Sequence, residues 1–134
     1  MPIIRAIAEH DGRNYTLYFP NGVYLVSRQL AWKDETGGWG AYLSFQGQSQ
    51  SGTIIRLVDR APGFADPSHP KAVIYTASQV GHAPDNPGGI GNEAYLNNIN
   101  DLTLDSGTGN PGAIGIYYLG SNRSQLSNVT NSIR

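Results

Sequence analysis

Cysteine is absent from this chain, and charge is scarce. Without Cys, no disulfide can staple the fold and no thiolate can hold a metal. Asp, Glu, Lys and Arg make up 14% of the 134 residues, well below the share usual in globular domains. The net charge is -1, with no basic block, so no nucleic-acid partner is expected. No apolar run approaches the roughly 20 residues that cross a bilayer, which leaves no membrane-spanning helix. The opening residues, Met1-Pro2-Ile3-Ile4-Arg5, carry no secretory h-region. An oxidising compartment is neither required nor forbidden.

What fills the space is Gly, Asn, Ser and Thr, a composition of strands and tight turns. The hydrophobic share is 39%, enough for one modest core and too regular for disorder. One segment has helical spacing: Ile3, Ile4, Ile7 and Ala8 fall on one face of Pro2 to His10. Pro2 suits a first turn and Gly12 a stop. Strand phrases follow at Tyr15–Phe19, Val23–Val26, Ala41–Phe45, Thr53–Val58 and Ala72–Thr76, punctuated by turn chemistry such as Pro20-Asn21-Gly22. Two Gly-rich stretches, Trp32 to Gly40 and Gln79 to Asn92, read as excursions. Neither has the ending of a phosphate-binding loop.

The stretch Asn97 to Asn131 is the most informative. Ile99-Asn100-Asp101-Leu102-Thr103-Leu104 is echoed by Leu126-Ser127-Asn128-Val129-Thr130-Asn131, with a turn and another strand-like run between them. Such an echo predicts stacked coils: an all-β, right-handed, single-stranded parallel β-helix. The expected organisation is one domain over 1–134, with a capping helix in 1–12 and coils in 13–134. Open coil ends expose backbone and apolar surface, so a homo-oligomer through the C-terminal coils is expected as well.

Tyr18-Phe19-Pro20-Asn21-Gly22-Val23-Tyr24 resembles the "YFPxGxY" phrase of the pectate-lyase-like β-helix superfamily. Leu43-Ser44-Phe45-Gln46-Gly47, then Thr53-Ile54-Ile55-Arg56-Leu57, is similar to that superfamily's next coil. Asp101 to Asp105 with Gly109 to Ile116, and then Asn128-Val129-Thr130, are similar to later coils. The resemblance runs over nearly the whole chain, in order, and matches the N-terminal portion of longer members. It implies a carbohydrate-active domain of the polysaccharide lyase or glycoside hydrolase kind, with polysaccharide as partner and a secreted or extracellular setting. A non-catalytic polysaccharide-binding or structural solenoid is the alternative.

The catalytic candidates are Asp105, Asp101 and Glu93. On a straight strand Asp101 and Asp105 would lie roughly 13 Å apart, at about 3.3 Å per residue. A glycosidase pair needs roughly 5–9.5 Å, so a working pair would have to come from neighbouring coils. The echo puts Asn128, not an acid, opposite Asp101. Turn stabilisation therefore outweighs catalysis for Asp101 and Asp105, and a solvated loop role for Glu93. Substrate-binding candidates are Trp32, Trp39 and Tyr117, whose rings could stack on sugars, and Arg123, which could meet a uronate. Of the neighbours Tyr117 and Tyr118, one should face the core. His10, His69 and His82 are isolated, so no metal and no cofactor is expected.

Overall fold

The computed structural model describes residues 2–10, 15–32, 42–76, 97–118 and 124–132. The helix α1 occupies Pro2–His10, as its spacing predicts. Ile7 is buried, and α1 packs on the short strand Leu30–Ala31. Arg5 and Glu9 pair one turn apart on the exposed side, at 2.7 Å.

Among the described residues nine strands follow: β1 (Tyr15–Phe19), β2 (Gly22–Val26), β3 (Leu30–Ala31), β4 (Leu43–Gly47), β5 (Thr53–Leu57), β6 (Lys71–Tyr75), β7 (Ile99–Asp105), β8 (Ala113–Tyr117) and β9 (Leu126–Ser132). Every pairing among them is parallel. One sheet runs β1-β4-β7-β5-β2, with β9 beside β7; the other runs β3-β6-β8. The first part of β7 pairs with β4 and the last part with β5. Because β1 and β2 are consecutive in the chain yet stand at opposite ends of this order, the sheet bends back into a nearly closed, barrel-like layer.

The corner of that layer is built in two ways. Between β1 and β2 it is Pro20-Asn21, and between β4 and β5 it is the turn Gln48–Gly52. In β7 and β9 a single residue with left-handed backbone turns the corner without ending the strand: Asp101 (φ 58) and Asn128 (φ 52). Asp and Asn are the non-glycine residues that most readily adopt this conformation. Where β7 turns, the Asp101 carbonyl sits against Gly47, and a side chain there would collide with it. The expected echo appears as register: Ile99 lies opposite Leu126, and Leu104 opposite Asn131.

The core lies inside this bend. Phe45, Ile99, Leu102, Leu104, Ile55, Leu57, Leu30 and Ile74 are fully or almost fully buried. Burying each such side chain contributes ~1.5–3 kcal/mol. Rings fill its middle: Phe45 lies 4.8 Å from Phe19 and 4.7 Å from Trp32, centroid to centroid. Trp32 is fully buried, and its indole N–H donates to the Leu43 carbonyl at 2.8 Å. The expectation that the Trp32 ring could stack on a sugar is thereby corrected. A large apolar ring with its one donor satisfied is more stable inside the core than in water.

Candidate functional site

Register places one uncharged row along the outside of the larger sheet. Tyr18 in β1 lies opposite Gln46 in β4, Gln46 opposite Asn100 in β7, and Asn100 opposite Ser127 in β9. Parallel partners project to the same face, and successive strands stand about 4.8 Å apart. The row therefore spans roughly 14 Å over its three steps. Tyr18 is 58% exposed, while the other three are half-buried.

A second row runs beside it. The Ser44 hydroxyl accepts from the Asn98 N–H at 3.3 Å, and the Asn98 Oδ1 accepts from the Gln125 N–H at 2.7 Å. In the first row, the Ser127 hydroxyl donates to Asn100 Oδ1 at 2.8 Å. These bonds occupy the oxygens of Asn98 and Asn100 and leave their Nδ2 groups as donors. The face thus carries amides, hydroxyls and one aromatic ring, held in place by neighbouring strands.

Asp101 stands at the rim of this face. Its Oδ2 accepts from Gln46 Nε2 at 2.8 Å, and its Oδ1 accepts from Asn128 Nδ2 at 2.9 Å. These two bonds, that from Gln46 foremost, hold its carboxyl below the usual carboxylate range. A carboxylate kept ionised and engaged on both oxygens is poorly suited to act as a general acid. Gln46–Asp101–Asn128 is a ladder that fastens three successive corners.

Asp105 is almost fully buried in a different setting. Its Oδ1 accepts from the Gly107 N–H at 2.9 Å, closing the turn after β7, and Oδ2 lies 3.8 Å from Arg56 Nε. The straight-strand geometry fails because β7 bends at Asp101. The bend puts the two carboxylates in separate hydrogen-bonding groups, and no bond joins them. Tyr117 is 42% exposed, with its ring 4.7 Å from that of its register partner Tyr75. Burial pushes the Tyr75 hydroxyl's pKa up. Tyr118 packs against the core, and its hydroxyl donates to the Asn97 carbonyl. Trp39, Glu93, Arg123 and His82 lie outside the described residues.

His69 pairs with Asp66 Oδ2 at 2.8 Å in an exposed turn whose other carboxylate oxygen accepts from the Ser68 N–H and hydroxyl. Among the described residues no group of three His, Asp or Glu is placed to hold a metal ion. Sequence reasoning passed over Tyr18, Gln46 and Asn100. The step from Tyr18 to Gln46 resembles that from Asn100 to Ser127, but the step from Gln46 to Asn100 is about twice as long. The excursion inside that longer step hid the alignment.

No protein-family model matches the chain, and no match was found among curated proteins or solved structures.

Proposed function

We propose that this chain is a right-handed parallel β-helical module that binds polysaccharide along the outside of its larger sheet. The observation that carries the reading is the uncharged row Tyr18–Gln46–Asn100–Ser127, a ring followed by fixed amides and a hydroxyl. Sugars offer hydroxyls to such amides and C–H faces to such rings. The β-helix part rests on strands that recur in order and pair in parallel with their counterparts. Parallel crossover connections are right-handed in nearly all proteins. The sequence phrases that resemble those of the pectate-lyase-like superfamily point the same way.

A binding role fits better than a catalytic one. Among the described residues, Asp101 and Asp105 are both engaged in corner and turn bonds. A glycosidase would need one carboxyl free to donate a proton and a second across the scissile bond.

The test is co-sedimentation with a panel of insoluble neutral and uronate polysaccharides, run beside a reducing-end assay and an ultraviolet assay for unsaturated uronate. Retention without product is the expected result. New reducing ends or an unsaturated product would replace the binding role with hydrolase or lyase activity. Absence of retention by a folded sample would remove the polysaccharide reading.

A further inference from the structure

Resting on that binding role, we infer that the ligand is an uncharged, hydroxyl-rich polysaccharide and not a polyuronate. The argument is where the charges stand. A polyuronate carries one carboxylate per unit and needs cations along its path. The row Tyr18, Gln46, Asn100 and Ser127 contains none, nor do Asn98 and Gln125 beside it.

The described cations stand elsewhere. Arg5 is paired with Glu9 on α1. Arg56, in β5, lies beyond the corner, opposite its register partner Asp105. Lys71 lies over the Phe64 ring in the smaller sheet, 5.5 Å from its centroid. Arg28 follows β2, and Arg60, with left-handed backbone, sits in the turn after β5. Among the described residues, the ionised group at the rim of these rows is Asp101, held below the usual carboxylate range by Gln46 and Asn128. Its negative charge repels an anionic chain laid along the row, while it can still accept a hydroxyl hydrogen bond.

Neutral donors and acceptors suit the other class. Each strand offers at least one amide or hydroxyl, repeated about every 4.8 Å. Tyr18, exposed at the end of the row, supplies the one aromatic face. Weak contacts of this kind gain affinity by repetition along a polymer, so oligosaccharide length should matter.

The experiment is affinity electrophoresis of the 134-residue chain in gels containing a soluble neutral glucan, mannan or galactan, or a polygalacturonate or alginate. Retardation by at least one neutral polymer and by neither polyuronate is expected. Tyr18→Ala should weaken the neutral interaction up to about tenfold, the scale of one lost aromatic contact. Tyr18 is exposed, so this variant should keep the parent's melting temperature. Asn100→Lys, which adds a cation in mid-row, should bring on retardation by polyuronate. Stronger retardation by polyuronate than by neutral polymer would overturn this inference and leave the binding role standing. No retardation by any polymer would overturn both. Neutral binding untouched by both variants would overturn the placement on this face.

Discussion

Asn97 is fully buried, and among the described residues neither its Nδ2 nor its Oδ1 meets a hydrogen-bonding partner. Its backbone is satisfied separately: the N–H donates to the Ser124 hydroxyl, and the carbonyl accepts from Tyr118. A buried unpaired amide costs ~1–3 kcal/mol, whereas an apolar group of similar size carries no such penalty. Asn97→Leu keeps both backbone bonds and should raise the unfolding free energy by about 1 kcal/mol, read from the urea midpoint. A fall in the midpoint would mean that the carboxamide is used. Asp101 gives the second prediction at this scale. Its pKa is lowered in the fold, below the ~3.9 of an unfolded Asp. Its contribution is therefore fully present above that value and is lost as pH falls through the lower, folded value. The stability gap between parent and Asp101→Asn should be constant near neutrality and shrink below about pH 4. Asp66, lowered by Ser68 and His69, titrates alike in both proteins and cancels. A gap independent of pH would remove the charged corner bond.

Elements were legible in the sequence where periodicity and echo spoke together. α1 forms over Pro2–His10 because its apolar residues share one face. The β7–β9 register was readable because both strands place Asx at the corner and Leu or Val after it. The short β3, Leu30–Ala31, was not legible, since two residues carry no period. The site was less legible than the elements. Trp32 looked like a loop ring because Gly-rich sequence follows it, but burial depends on what faces a residue in space. Asn110 shows the same limit. It reads as an ordinary turn residue after Gly109, yet it fastens two loops far apart in sequence. Its Nδ2 donates to the Val58 and Ser106 carbonyls, and its Oδ1 accepts from the Ala61 N–H. Asn110→Ala removes all three bonds, two of them buried. The expected cost is about 3 kcal/mol, with faster hydrogen exchange at the Ala61 amide. A loss under ~1 kcal/mol would mean that water replaces the side chain.

At the scale of the whole molecule the two ends of the fold differ. At one end α1 covers β3 and turns Arg5, 82% exposed in its side chain, to solvent. At the other, β9 pairs with β7 alone among the described strands, leaving a seven-residue edge. Natural edges are guarded by Pro, by charge or by brevity. Leu126–Ser132 contains neither Pro nor a charged residue. Beside it is a groove of about 370 Å³ lined by Ile116, Leu126, Val129 and Asn131. Leu126 is 44% exposed and Ile114 39%, although their register partners Ile99 and Ala72 are buried. An open backbone edge beside apolar side chains favours pairing with another chain. The 134-residue chain is therefore expected to self-associate through β9, with a mass by light scattering that rises with concentration. Leu126→Lys puts a charge on the edge at an exposed position. It should weaken association at least about tenfold, the factor that 1.4 kcal/mol represents, without lowering the melting temperature of the monomer. A monomer at every concentration would show that β9 is guarded by something other than its sequence.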